Sequence, residues 1–343
     1  MLSVVIAALS FDPSNMHQDP DFAKFMHFVE KHRSGVAYRD EMETVGRFAA
    51  FKKNLKLAEE RNNAEGGANN KKGGAKHGIT KFMDLTTDEF RRMHTGFQPA
   101  PESLKKKLIV KDHRAPSNLT ASSIDWNAKG ALTPIKNQGQ CGSCWAFSAS
   151  EQLESDFFLQ EGELKELSPQ MIVSCDTTCM GCNGGNPINA WDYVHTYGGQ
   201  DSKSSYPYTS GTTQQTGTCG AKESSKIEDV TSALGYLISN KPSMESNMLK
   251  QMSQSPMSIV VDAELWQTYQ SGVITSASGC GTACDHAVQA TGYNAEGNYW
   301  IIRNSWGTDW GNDGFVYVEY GANVCGLTTQ AAIAAPAVVA KLK

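Results

Sequence analysis

The chain has 343 residues, 40% of them hydrophobic and 20% charged, more than one ordinary domain and enough apolar material for a packed core in two or three parts. Lys+Arg 31 against Asp+Glu 36 leaves a formal charge of -5 with no basic run long enough to follow a phosphate backbone, which argues against nucleic acid as a partner. No stretch reaches the ~18 to 20 uninterrupted apolar residues of a bilayer crossing, and the apolar tail Ala331–Ala340 is short and broken by Pro336.

At the N-terminus, Leu2–Leu9 is a short apolar run with no Lys or Arg before it, read as a marginal secretory signal within residues 1–20 or else as a buried N-terminal segment. From Asp21, Phe22, Phe25, Met26 and Val29 fall at helical spacing, and a second helix is predicted through Val45, Phe48, Ala49, Phe51, Leu55 and Ala58. The stretch Glu65–Gly74 is polar and glycine-rich and reads as a loop, followed by a short ordered segment, His77–Leu85. These elements make residues 21–96 a helical domain. Prolines, the basic run Lys105–Lys107 and polar residues mark 97–119 as a solvated linker with a processing site, so a boundary falls near residue 119.

Beyond that boundary, Ser143 is placed to cap a helix running through Cys144, Phe147, Leu153, Phe157 and Phe158 to about Gly162. The chain to about residue 230 is rich in cysteine, glycine and turns. From Met257 short apolar or alternating runs take over, among them Ser258–Val261, Tyr299–Arg303 and Phe315–Tyr320. Residues 120–343 therefore read as a helical half to about 230 and a strand-rich half from 231 to 335. Nine cysteines, eight of them between Cys141 and Cys284, favour disulfides and an oxidising compartment, and the odd count leaves at least one thiol unpaired.

The most informative stretch is Gln138-Gly139-Gln140-Cys141-Gly142-Ser143-Cys144-Trp145-Ala146-Phe147. A cysteine in the first turn of a helix faces unsatisfied backbone N–H groups and the positive end of the dipole, which favour the thiolate that attacks carbonyl carbon. The segment resembles the active-site segment of papain-like cysteine peptidases, whose C-G-[SA]-C-[WY] signature has its His and Asn far downstream. His286 follows Cys144 by 142 residues and Asn304 by 160, within Cys284-Asp285-His286-Ala287-Val288 and Asn304-Ser305-Trp306-Gly307. The resemblance implies Cys144 as nucleophile, His286 as its general base and acid, and Asn304 as the acceptor that holds the imidazole, with Trp306 shielding that bond. It assigns the oxyanion to the Gln138 side-chain amide and the Cys144 backbone N–H. Taken alone, Cys141-Gly142-Ser143-Cys144 is also a redox C-x-x-C. Cys175, Cys179 and Cys182 invite a zinc reading, but no His pair or second C-x-x-C stands at matching spacing, so no metal and no cofactor are expected.

The same resemblance implies three disulfides, Cys141 with Cys182, Cys175 with Cys219 and Cys280 with Cys325. Cys179 and Cys284 depart from the family pattern; a fourth bridge, other partners or free thiols remain open. Gly184 and Gly185 match the segment whose backbone binds an extended substrate, glycine letting another chain approach closely. Asn186, Pro187, Ala263, Cys284, Ala287 and Gln330 match the walls of the neighbouring pocket, and Asp285 and Trp306 complete the cleft. With Asn186 where many relatives have a large apolar residue, and Gln330 putting a neutral polar group at the pocket's far end, medium apolar side chains and some polar ones are expected there.

Glu43, Arg47, Phe51, Asn54 and Asn62 look like the ERFNIN-type pro-region motif of cathepsin L-like zymogens, with Ala58 where Ile or Val is usual. Gly78, Phe82 and Asp84 fit its G-x-N-x-F-x-D motif, with Thr80 replacing Asn. The resemblance thus implies an α+β, papain-like two-domain fold, with a helical left domain and a strand-rich, barrel-like right domain, behind a mainly helical pro-domain. It implies a cysteine endopeptidase zymogen, secreted or in a lysosome- or vacuole-like compartment. Its expected partners are polypeptide substrates, its own pro-region as inhibitor and cystatin-like inhibitors, and it is expected to be a monomer. Maturation is expected near Leu119–Ser122, with the sequon Asn118-Leu119-Thr120 beside it, driven by acid protonating the carboxylates that hold the pro-segment. A catalytically silent homologue acting as a binding protein is the contrasting class, against which the intact Cys144, His286, Asn304 and Gln138 stand.

Overall fold

In the computed structural model, α1 (Phe22–His32) and α2 (Glu41–Ala64) pack through the aromatic residues their sequences space at helical intervals. Phe25 and Phe28 from one helix and Phe48 and Phe51 from the other are buried with Met16 and Met83, the Phe25 and Phe48 rings 5.2 Å apart. Each ring contributes about 1.5–3 kcal/mol by leaving water. The structure describes residues 13–33, 38–66, 74–105, 123–221, 226–227, 236–239, 241 and 244–333. Residues 1–12, 67–73, 106–122 with the processing site and the Asn118 sequon, and the tail from 334 lie outside these.

α2 starts where the Asp40 carboxylate accepts from the Glu43 amide. The motif residues along it anchor the rest of the pro-domain. Arg47 bonds Glu89, the Asn54 side chain donates to the carbonyls of Met83 and Leu85, and Asn62 clasps both backbone groups of His77. His77 belongs to β1 (Lys76–His77), from which the chain turns into α3 (Thr87–His94), opened by a Thr86–Glu89 capping box, and the short α4 (Glu102–Lys105). Asp84 holds Arg33 and Tyr38, and the Thr80 hydroxyl donates to the Gln267 carbonyl.

After β2 (Ile124–Asp125), the helical half comprises α5 (Cys144–Glu161), α6 (Pro169–Cys175), α7 (Pro187–Tyr197), β3 (Gln200–Asp201), α8 (Ser210–Thr213) and β4 (Lys226–Ile227). The remaining elements are β5 (Tyr236–Ser239), α9 (Glu245–Met252), β6 (Met257–Val261), β7 (Tyr269–Ser271), β8 (Val273–Ile274), β9 (His286–Asn294), β10 (Tyr299–Arg303), β11 (Phe315–Glu319) and β12 (Ala331–Ile333). Eight strands form one sheet in the order β5-β12-β6-β9-β10-β11-β8, with β2 also on β9; the β11–β8 pair alone is parallel among the described residues. β2 thus ties the start of the helical half to the strand half.

α5 is buried along most of its length because it lies between the halves. Trp145, Ala149 and Leu153 face Ile172, Ile188 and Trp191. Its polar positions meet the sheet: the Ser148 hydroxyl donates to Val288 O, and Glu151 and Glu154 meet Arg303 at 3.0 and 3.7 Å. Lys136 joins Glu154 at 2.5 Å in this fully desolvated cluster. The strand half buries Ile259, Val288, Ile302 and Val316 together with Phe82, Leu85 and Phe90 of the pro-domain. The two therefore share one core, and β1 pairs with β7 along the same seam.

The composition of residues 97–119 reads as a solvated linker, but its first part is otherwise. Phe97, Ala100 and Leu104 are buried, the last two against the helical half. Prolines break a helical pattern without preventing burial of the apolar residues between them.

Candidate active site

Cys144 is the first residue of α5, His286 the first of β9, and Asn304 comes directly after the last residue of β10, so the β9–β10 pairing brings the latter two together. His286 Nε2 lies 2.8 Å from Asn304 Oδ1, an oxygen that also accepts from the Ser305 amide at 2.8 Å. Oδ1 is thereby the acceptor and Nε2 carries the hydrogen, which leaves Nδ1 with its lone pair. Nδ1 is buried and has no hydrogen-bond partner among the described residues. The Cys144 thiol sits beside the peptide that joins His286 to Ala287, whose amide donates to Sγ at 3.4 Å. Trp306 stacks on the imidazole at 4.7 Å and Trp266 meets its edge at 6.1 Å, keeping water from the His286–Asn304 bond.

Gln138 is wholly buried and oriented by the Ser305 hydroxyl, which donates to its Oε1 at 2.7 Å. Its Nε2 then points into the cleft and donates to the carbonyls of Cys141, at 3.0 Å, and of pro-segment residue His94, at 3.1 Å. The Trp306 indole donates to the same His94 oxygen at 3.0 Å. Residues 96–98 continue along the cleft. The Gly96 and Phe97 amides donate to the Asp285 carbonyl at 2.9 and 2.8 Å, the Gln98 amide to Gly185 O at 2.8 Å, and the Gly185 amide to Gly96 O at 2.9 Å. Gly96 has φ +153 and a Cβ there would lie 2.1 Å from Gly142 O, so glycine is required at this crossing. Gly184 makes no hydrogen bond to this segment among the described residues but lies so close to it that a Cβ would meet Gly96 O at 2.6 Å.

The Phe97 ring packs with Cys144, Val260 and Ala287, and Cys284 borders it. Asn186 and Gln330 exchange side-chain amide bonds at 3.2 Å in both directions, joining the two halves, and Asn186 Nδ2 also donates to Gln98 O at 2.9 Å. Pro187 opens α7 behind them. Ala263, matched to a pocket wall, packs instead in the core of the strand half, its amide on Asp285 Oδ1 at 3.0 Å. Val260 was not legible as a cleft residue because an all-apolar strand does not show which face meets Cys144.

Burial dominates the electrostatics. It pushes the Cys144 thiol up to about 12 and the His286 imidazole down to about 4, so both are neutral under the pro-segment at neutral pH. Burial also lifts the Asp285 carboxyl to about 6. The sulfurs of Cys141 and Cys182, Cys175 and Cys219, and Cys280 and Cys325 are bonded in pairs. Cys179 and Cys284, left open by the sequence, are free thiols. Cys179 lies under Gly185, where a Cβ would be 2.7 Å from its sulfur. Among the described residues no cluster of His, Cys, Asp or Glu has the form of a metal site.

Residues 120–335 match the model of the papain family cysteine protease, and residues 25–90 that of the cathepsin propeptide inhibitor domain. Relatives include cysteine proteinase 1 of Dictyostelium discoideum, 35% identical over 89% of this chain and 90% of that protein. The senescence-specific cysteine protease SAG12 of Arabidopsis thaliana is 36% identical over 90% of this chain and 88% of its own. Digestive procathepsin L 3 of the Tenebrio molitor larval midgut superposes with a TM-score of 0.77 at 28% identity, covering 92% of this chain and 99% of that one. A recombinant stem bromelain precursor gives 0.75 at 31% identity, with 92% and 99% covered. The chain therefore belongs to the papain family of cysteine proteases and is a cathepsin L-like cysteine endopeptidase carrying its propeptide inhibitor domain.

Proposed function

We propose that Cys144, His286 and Asn304 form the catalytic site of this endopeptidase and that residues 94–98 hold it silent. The observation that carries the reading is the His94 carbonyl on Gln138 and Trp306, with Phe97 against Cys144. With the pro-segment gone, the exposed thiol gives its proton to His286 Nδ1, and Asn304 holds the resulting imidazolium through Nε2–H. The thiolate attacks the peptide carbonyl. Gln138 Nε2, freed from His94, and the Cys144 amide take the oxyanion. The imidazolium protonates the departing amine, and water then releases the acyl group from sulfur with the imidazole as base.

Gly185 and the Asp285 carbonyl, which here bond the pro-segment, are offered to an extended substrate, and the pocket under Phe97 takes one substrate side chain. Ala287, Val260 and Cys284 favour a medium apolar group there; the Asn186–Gln330 pair tolerates a polar one. A substrate-library profile that selects only Phe or Leu contradicts this. The disulfides favour an oxidising site of action, secreted or lysosome- or vacuole-like. Polypeptides are the substrates, and we take the enzyme to act as a monomer open to cystatin-like inhibitors.

The test incubates the full chain at pH 4 to 5 with thiol, following mass and cleavage of a fluorogenic peptide beside Cys144→Ala. Loss of roughly the first 120 residues with activity in the wild type alone is expected. A wild type that stays silent after another protease has removed its front segment overturns the reading.

A further inference from the structure

Ser143 precedes the nucleophile and stands at the N-cap position of α5, yet its side chain caps nothing. Its hydroxyl lies 2.8 Å from the Tyr208 hydroxyl, which in turn donates to the Gln138 backbone carbonyl at 2.9 Å. A tyrosine has one hydrogen; with Gln138 O as its acceptor, Ser143 is the donor of the 2.8 Å bond, which is shorter than the 3.3 Å from the same hydroxyl to the Cys141 carbonyl. One phenol therefore joins the residue that carries the Gln138 amide to the residue whose carbonyl carbon bears the Cys144 N–H.

The phenol is itself fixed. Its ring meets the edge of Phe147 at 4.8 Å and 83°, one turn along the nucleophile's own helix. The backbone just after Tyr208 is pinned to α6: Gln170 Oε1 accepts from the Thr209 and Ser210 amides at 2.7 and 3.0 Å. Gly211 O then accepts from the Gln140 amide at 2.9 Å. Gly139 and Gly211 touch so closely that a Cβ on Gly139 would lie 2.5 Å from Gly211 O. The 208–211 segment is thus a brace on the 138–143 loop, touching it at Gln138, Gly139, Gln140 and Ser143.

We infer that Tyr208 is a positioning residue for the oxyanion site, holding the Gln138 side-chain amide and the Cys144 backbone N–H in the mutual register that the transition state needs. The inference rests on the proposed role of those two groups as the oxyanion donors. Preorganised donors act on charge that exists only in the transition state, so loosening them lowers kcat and leaves KM nearly unchanged. Tyr208→Phe removes one oxygen and keeps the ring on Phe147, which isolates this contribution.

The experiment processes the full chain in acid and compares wild type, Tyr208→Phe, Ser143→Ala and the double variant in three assays. In peptide hydrolysis kcat falls about tenfold in Ser143→Ala, the loss of one net hydrogen bond, and at least as far in Tyr208→Phe, which loses two, with KM within about twofold. Affinity for a peptide aldehyde, which adds to the Cys144 sulfur as a tetrahedral hemithioacetal with its oxygen at the same donors, falls as well. The rate of Cys144 alkylation by iodoacetamide, which needs the thiolate and no oxyanion donor, stays at the wild-type value. The double variant loses no more than the larger single loss, because both act through one contact. Alkylation and hydrolysis falling together, or hydrolysis unchanged, overturns the inference. Should Tyr208→Phe fail to fold, Ser143→Ala decides by the same ratio. A wild type without peptidase activity removes the underlying reading instead, which the control separates from failure of the inference.

Discussion

His77 and His94 are buried neutral at two points of the seam between pro-domain and enzyme, and their protonation is expected to drive acid release. His77 Nδ1 meets the Thr268 hydroxyl at 3.0 Å, and Arg61 donates to the same hydroxyl at 2.7 Å. His94 packs among the rings of Phe82, Phe90 and Trp306. The groups acting on it are the cations Lys81 and Arg33 and, when protonated, His286, with Asp309 and Asp84 engaged by Lys81 and Arg33. Burial above all, then Arg61 at His77 and the groups just named at His94, depress both imidazoles to about 3. A released histidine titrates near 6.5, so from there down to about pH 3 the undocked state binds the extra proton. Docking is intact above about pH 6.5 and weakens as pH falls, by about 1.4 kcal/mol per unit and histidine. At pH 4.5 the pair has lost about 5 kcal/mol. Asp285, lifted to about 6, acts in the opposite sense, returning about 2 kcal/mol at that pH if release restores its ordinary value. The net is about 3 kcal/mol, a hundredfold change. Carboxylates were the acid trigger expected from the sequence; those that pair across the seam, Glu264 with Arg91 and Asp309 with Lys81, are half-exposed and screened. The assay presents Cys144→Ala chains, which cannot cut themselves, to a trace of matured enzyme from pH 4 to 7, each rate divided by that enzyme's rate on a small peptide. The wild-type background is expected to be cut about a hundredfold faster at pH 4.5 than at 6.5, and His77→Gln with His94→Gln together to flatten that ratio below tenfold. A double variant that keeps the full ratio, while Glu264→Gln or Asp309→Asn flattens it, refutes the reasoning.

Gly96→Ala places a methyl group 2.1 Å from Gly142 O, so the pro-segment is lifted from the cleft and the variant shows processing and peptidase activity at pH 7; a variant as silent as wild type there contradicts the cleft-crossing role. Arg303→Leu leaves Glu151 and Glu154 without the cation that sits between them, and is expected to cost about 3–5 kcal/mol in urea unfolding; a loss below about 1 kcal/mol shows that Lys136 alone neutralises the pair.

The helices of the pro-domain were legible because Phe22, Phe25 and Val29, and Phe48, Phe51 and Leu55, recur at a period that only a helix brings to one face; Met26, read with them, is exposed, and the buried Phe28 was missed. The proposed nucleophile and its partners were legible as motifs, through the resemblance of the segments around Cys144, His286 and Asn304 to those of papain-like peptidases. The residues under Phe97 were not: Val260 sits in a strand apolar on nearly every position, and Ala263, matched to the same pocket, is carried into the core by the backbone after β6. Composition misled at Phe97, Ala100 and Leu104, where prolines around small apolar groups read as solvated chain.

By itself the sequence pointed to the side chains proposed to do the chemistry and to the segment proposed to block them, because the motifs that carry the family resemblance are local runs of residue type and spacing. Only the tertiary structure decided that the His94 carbonyl takes the Gln138 amide, that Tyr208 reaches from residue 208 to residues 138 and 143, and that Cys179 and Cys284 remain thiols. Each of these joins residues far apart in the chain, and a hydrogen bond or a disulfide depends on a few tenths of an ångström of packing that no local pattern encodes.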